Sequence, residues 1–314
     1  MQSITAKYAE YKQKRPDLRE SSVEILDRAV RWFIELFGDL EVGQVNFGKI
    51  DDFKSWLLND RLPGTANTYL AMLKSFFNWL AKRRFIEYNP FDGITKYKVV
   101  QKKFEIFTHD EIARLLNISN ELWRLIISIG LCGPRESEIL NITVRDIDLE
   151  NKRIRVTPKK DTLTTWRWDI KDSDEAYIGI DESISRLLMQ RIEKLKDMPY
   201  VNLKRCYWKR NILLRDKGKL NQRKRNNPWG NFNRDFRALQ KRALIIPQKR
   251  FHDLRGTFTT ERYNAGFNLA ELSKLLRHST ISTTVRYVNS IDEKKLVAKS
   301  GEFFAKHYAT LNVL

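Results

Sequence analysis

Apolar side chains recur at helical intervals in three stretches of the N-terminal third. Val23, Leu26, Val30, Phe33, Ile34 and Phe37 form the first stripe, and Gly38 is placed to stop that helix. Phe53, Trp56 and Leu57 mark a second, shorter helix, which Pro63-Gly64 closes. Tyr69, Met72, Leu73, Phe76, Phe77 and Leu80 make a third and longer stripe. Three such helices predict a small bundle that ends at Asn89-Pro90. Beyond it, Thr108 reads as a helix cap before His109-Asp110-Glu111. Arg153 to Thr157 and Trp166 to Ile170, rich in β-branched and aromatic residues, read as the two strands of a hairpin. Helical periodicity returns over Leu254 to Tyr263, Leu269 to Arg277 and Ser282 to Val288. The expected fold is mainly α with a small antiparallel β-sheet. It divides into a helical unit over residues 1–94, a linker over 95–107 and a second domain over 108–314, whose tail begins near residue 290.

Charge changes the picture from fold to partner. The chain has 314 residues, 58 Lys and Arg against 39 Asp and Glu, a net charge of +19 and a pI near 9.8. Displacing counterions from phosphates is the main source of non-specific affinity for DNA, so a polyanion is the expected partner. The excess is uneven. Residues 199–250 hold sixteen Lys and Arg against Asp216 and Asp235, a net of +14, interleaved with Tyr207, Trp208, Trp229, Phe232 and Phe236. Core packing is the simpler account of those aromatics. The run RDKGKLNQRKRNNPWGN, poor in apolar residues, reads as a loop that orders on a polyanion. Lys96, Lys98, Lys102 and Lys103, with no acid among them, suit a strap along phosphates.

Other classes are disfavoured. Cys132 and Cys206 are too few for a disulfide framework, which suits a reducing compartment. The N-terminus lacks an apolar signal core, and the longest apolar region, Leu125 to Cys132, is too short to span a bilayer. The expectation is a cytoplasmic, DNA-associated protein. No C-x-x-C, H-E-x-x-H, Walker A or G-x-G-x-x-G motif is present, so neither a metal nor a nucleotide cofactor is expected.

Chemistry concentrates near the C-terminus. His252 and Arg255 in FHDLRGT are three apart at a helix start and can address one anion together. His278 follows in LLRHST, and Tyr287 lies nine residues later, where a turn between helices could bring its phenol back to the imidazole. FHDLRGTFTTERYNAG, LSKLLRHSTISTTVRY and the upstream GLCGPRESEILNITVRDID resemble the tyrosine recombinase, or phage integrase, family. The resemblance is strong from Thr108 onward and looser before it. Its signature is an Arg in G-x-R-x-x-E, a hairpin Lys, an H-x-x-R pair, a His and a Tyr nine residues on. Here these positions read Arg135 with Glu138, Lys159, His252 with Arg255, His278, and Tyr287. Lys160 is the alternative to Lys159, and Lys171 lies across a long turn. The sequence departs from the family pattern at Gly133-Pro134 and at Arg277, which stands where Gly is usual before the His. That substitution places another cation beside the phosphate site.

The resemblance implies an enzyme that cuts and rejoins DNA site-specifically through a 3′-phosphotyrosyl intermediate on Tyr287. Arg135 and Arg255 would stabilise the five-coordinate phosphorus, since two forked guanidiniums suit its non-bridging oxygens. A phenol, with an ordinary pKa of about 10, needs such neighbours to attack. Lys159 would protonate the leaving 5′-oxygen, His278 would bond the phosphate, and His252 would accept a proton or orient the site. The family also implies a core-binding helical domain ahead of the catalytic one. Further expectations are a double-stranded DNA partner, a homo-tetramer on two sites, and a tail docked on the next protomer or in cis. Two other readings stand beside this one, a type IB topoisomerase-like nicking-closing enzyme and a non-catalytic DNA-binding accessory factor. Asp146 and Asp148 could in principle serve a metal-dependent transposase, but they are better placed to cap a turn.

Overall fold

The computed structural model describes residues 2–18, 20–100, 105–160, 167–170, 175–196 and 231–288, together with Val297 and Glu302. Lys102, Lys103, Trp166, Lys171, Cys206, Tyr207, Trp208 and Trp229 lie outside them, as does the expected tail from residue 290 apart from Val297 and Glu302. The chain forms two compact units, Met1–Gln101 and Lys102–Leu314, each with its own apolar core.

The first unit has four described helices: α1 (Ile4–Lys14), α2 (Glu20–Phe37), α3 (Phe47–Leu57) and α4 (Pro63–Lys82). The last three follow the predicted stripes, which bury Leu26, Val30, Phe33, Phe53, Leu57, Tyr69, Leu73, Phe76, Phe77 and Leu80. Gly38 ends α2 with φ 79°, a conformation a side chain would disfavour. Pro63 does not close α3; it sits in the first turn of α4, where its missing N–H leaves no bond unmade. The unpredicted α1 is capped by Ser3 and buries Ile4, Tyr8 and Tyr11. Both tyrosines meet Phe76 edge-on at 5.5 and 5.3 Å. After α4, Asn67 holds the backbone of Tyr97 by accepting from its N–H and donating to its carbonyl, each at 2.9 Å.

The second unit begins with a capping box, Thr108 and Glu111 each accepting the other's backbone N–H, at the start of α5 (His109–Ile118). Next come α6 (Glu121–Gly130), α7 (Glu136–Leu140) and a three-stranded antiparallel sheet of β1 (Ile147–Asp148), β2 (Arg153–Val156) and β3 (Ala176–Gly179), in that order. The predicted hairpin is only partly right. The ladder partner of β2 is β3, with Val156 opposite Ala176, and the described part of the predicted second strand, residues 167–170, adds a single bridge between Lys159 and Trp168. From the ladder to that bridge, one side advances three residues and the other eight. The bridge is therefore out of register with the ladder, and the side chains of Trp168 and Ile170 lie in the core.

Five more described α-helices complete the unit: α8 (Glu182–Lys196), α9 (Phe232–Arg242), α10 (Asp253–Asn264), α11 (Leu269–Leu276) and α12 (Ile281–Val288). Phe232 and Phe236 are core residues, packed on Trp123 and Phe251. Helices α10, α11 and α12 pack on one another, which brings their chemically active residues together. No described helix is long and apolar enough to cross a membrane.

Candidate active site

Five of the six predicted residues converge where α10, α11 and α12 meet the loop before α7. Tyr287 is 4% exposed; its hydroxyl oxygen lies 2.8 Å from His252 Nε2, and its ring stacks on His278 at 5.7 Å with a 6° tilt. Thr260 Oγ1, on α10, donates to the Tyr287 carbonyl at 3.5 Å. The nine-residue spacing thus acts as expected, because a tight turn after α11 folds α12 back on it.

Arg255 is the most buried cation of the site at 1% exposure. Its guanidinium donates to the carbonyls of Gly133 and Leu276 and, at 2.9 Å, to His278 Nε2. Burial, then repulsion from Arg135, brings its pKa down to about 10, which still leaves it cationic at neutral pH. Arg135 caps α7 through Glu138: its backbone N–H donates to Oε2 at 2.8 Å and its Nη1 to Oε1 at 2.9 Å. Its Nη2 donates to the Arg277 carbonyl at 3.0 Å. Both guanidiniums therefore hang from carbonyls at the C-terminal end of α11, where helix carbonyls lack intrahelical partners and the dipole is negative.

Gly133 makes this close packing possible. It has φ 92°, and a Cβ there would lie 2.8 Å from Phe258 Cδ1, so any side chain would push the loop from α10. The adjoining Pro134-Arg135 would move with it.

An arginine cannot accept a hydrogen bond, so the Arg255 contact makes His278 Nε2 the acceptor and leaves the proton on Nδ1, which donates to Thr284 Oγ1 at 2.8 Å. Thr284 is fully buried. A hydroxyl can donate as well as accept, so His278 can move its proton to Nε2 without losing that partner.

Burial, then the cations of Arg255 and Arg250, lowers His252 from 6.5 to about 4, so the imidazole beside Tyr287 is neutral at physiological pH. Its folded pKa is depressed, so the unfolded chain binds more protons between pH 6.5 and 4. Stability from this group is complete above the upper value and is lost as pH falls through that window, a difference of about 3 kcal/mol. Denaturant unfolding of His252→Gln is expected to show a flatter pH dependence there than the parent. Parallel curves would show that His252 does not carry the linkage.

Lys159 is bound elsewhere. Its ammonium sits on the carboxylate of Asp146, 2.6 Å from Oδ1, and its backbone pairs with Trp168. Burial lowers its pKa, opposed by the Asp146 charge. Lys160, the alternative, has an exposed side chain. Asp146 accepts from Thr143 N and Oγ1, at 2.7 and 2.6 Å, and so caps the turn as expected. Sequence reasoning missed its bond to Lys159, because the pair meets only when the sheet forms. It also missed Thr284 and the pairing of Arg277 with Glu138.

Comparisons with known proteins find relatives over nearly the whole chain. A tyrosine recombinase of Pseudothermotoga lettingae is 23% identical over 313 residues, covering 95% of this chain and 97% of that protein. The Tn1549 transposon integrase in complex with a circular intermediate DNA has a similar fold, with a TM-score of 0.74, 18% identity, and coverage of 96% of this chain and 100% of that one. A lambda integrase tetramer bound to a Holliday junction matches with a TM-score of 0.64 and 14% identity, covering 91% of this chain and 77% of that one. The phage integrase family model matches residues 105–294, which span every residue of the cluster. With 190 of its 314 residues matched in this way, the chain belongs to the phage integrase family of tyrosine recombinases, enzymes that cut and rejoin DNA.

Proposed function

We propose that this chain is a site-specific DNA recombinase that cleaves through a covalent 3′-phosphotyrosyl intermediate on Tyr287. The observation that carries the reading is the Tyr287 hydroxyl 2.8 Å from a neutral His252, within one cluster with Arg255, Arg135 and His278. Nothing in binding alone calls for a phenol held beside a proton acceptor.

The Tyr287 oxygen attacks phosphorus and passes its proton to His252 Nε2. Arg135 and Arg255 hold the non-bridging oxygens as negative charge grows, in a site dry enough for those contacts to count heavily. Once Arg255 Nη2 leaves His278 Nε2 for the phosphate, His278 takes its Nε2–H form, with the Thr284 hydroxyl donating to Nδ1, and donates a further bond. The 5′-oxygen leaves with a proton from Lys159, and the phosphorus stays bonded to Tyr287. Because the ester stores the bond, the 5′-hydroxyl of another strand reverses the step. The related lambda integrase is a tetramer on a Holliday junction, and a homo-tetramer on two DNA sites is the assembly that strand exchange calls for here.

Lys159 must leave Asp146 or share it to reach the departing oxygen. Asp146→Asn removes the charge that opposes burial, so the ammonium becomes a stronger acid. The expected result is that the alkaline limb of the single-turnover cleavage profile moves to lower pH. An unmoved limb would dissociate Lys159 from leaving-group protonation.

The test of the whole reading is a nicked duplex from which the cut fragment diffuses away. Trapped complexes should carry DNA on Tyr287 by peptide mass spectrometry, and two-site substrates should yield exchanged strands. Attachment at another residue, or none, overturns it; relaxation of plasmids of any sequence without exchange would point to a topoisomerase instead.

A further inference from the structure

Arg277 ends α11 in the left-handed conformation, with φ 55° and ψ 50°. A side chain is disfavoured there, and glycine fits without strain. Three other described non-glycine residues have positive φ, namely Arg84, Lys152 and Leu244, and all three are exposed at turns or loops. Arg277 differs, because its side chain is 14% exposed and its Nη2 donates to Glu138 Oε2 within the active-site cluster. Backbone strain kept at a site is a reason to ask what the side chain does.

Holding Glu138 against Arg135 does not require the Arg277 side chain. Glu138 already accepts the Arg135 backbone N–H on one oxygen and the Arg135 guanidinium on the other. Arg135 in turn is anchored on the Arg277 carbonyl, a backbone group that any residue would supply. Removing the Arg277 side chain therefore leaves in place the two bonds from Arg135 to Glu138 and the bond from Arg135 to the residue 277 carbonyl. The guanidinium also lies near enough to Arg255 for its repulsion to act on that residue. Holding like charges together is unfavourable until an anion enters between them.

We propose that Arg277 is a third phosphate-binding guanidinium, which contacts a non-bridging oxygen of the scissile phosphodiester. The inference rests on the recombinase reading above. One edge of the planar group stays on Glu138 while another faces the phosphate, which five donors in a fixed fork permit. The phosphorane carries two negative charges, and Arg277 adds to the cations that Arg135 and Arg255 direct at it.

The test uses the full-length protein on nicked duplexes whose scissile position is either an ordinary phosphodiester or an uncharged methylphosphonate. Arg277→Gly relieves the backbone, so its melting temperature should equal or exceed that of the parent. Cleavage of the phosphodiester should nevertheless slow by about tenfold or more, as expected for the loss of a transition-state donor. On the methylphosphonate the two proteins should differ little. Should the glycine variant fold poorly, Arg277→Gln keeps the backbone strain, removes the charge and faces the same pair of substrates. Parental rates on the phosphodiester, or equal slowing on both substrates, would overturn the proposal. Failure of the parent to form any adduct would instead strike the recombinase reading.

Discussion

Tyr287→Phe is expected to form no covalent complex with a nicked duplex while binding that duplex within about twofold of the parent, since affinity rests mainly on phosphate-neutralising cations. The change removes one oxygen. That oxygen's bond to His252 contributes on the order of 1 kcal/mol to the fold, and the ring keeps its stacking on His278. Folding and binding should therefore survive where chemistry does not. Denaturing gels with labelled DNA read the first quantity and fluorescence anisotropy the second. A residual adduct in the variant would move the nucleophile to another side chain, and a large loss of affinity would show that the hydroxyl does more than attack.

Arg255→Ala should have the next largest effect, in two measurements. The guanidinium serves the Gly133 and Leu276 carbonyls and His278 Nε2 from a site with 1% exposure. Without it these acceptors are left buried and unpaired, at about 1–3 kcal/mol each before water or relaxation repairs them. A fall in unfolding free energy of several kcal/mol is expected, together with a drop in cleavage of about a hundredfold or more from the lost transition-state donor. Arg255→Lys separates the two. An ammonium can restore the charge and part of the bonding, yet it cannot span three acceptors in a plane. Stability should recover further than rate, whereas equal recovery would make Arg255 a structural residue first.

Much of this was legible in the sequence because stripes of large apolar residues have a single helical solution. The reading of α2, α4, α10, α11 and α12 follows from leucines, phenylalanines and valines three and four apart. Helix α1 escaped notice because its buried face is one isoleucine and two tyrosines, amphipathic rings that a pattern of apolar and polar positions does not separate from surface. The second hairpin strand was misplaced because β-branched and aromatic residues mark extended, buried chain without saying which ladder it joins. Trp168 and Ile170 satisfy that preference in the core. Spacing could pair His252 with Arg255, three apart on one helix face, and His278 with Tyr287, nine apart across a turn, whereas the 23 residues from Arg255 to His278 gave no such guide. Asp146 with Lys159 and Glu138 with Arg277 span 13 and 139 residues, and only the assembled fold makes neighbours of them.

The end of α11 has a consequence for control. Leu276 and Arg277 lend their carbonyls to separate guanidiniums, and the next residue is His278. Three groups of the candidate site are thus mounted on three consecutive residues of backbone. A displacement of about an ångström in that short piece would misalign all of them together, as small misplacements near reacting atoms do. Such a mount behaves as a common hinge pin, so the proposed strand cleavage would be turned off as a unit by moving it, with no change to any one side chain of the cluster.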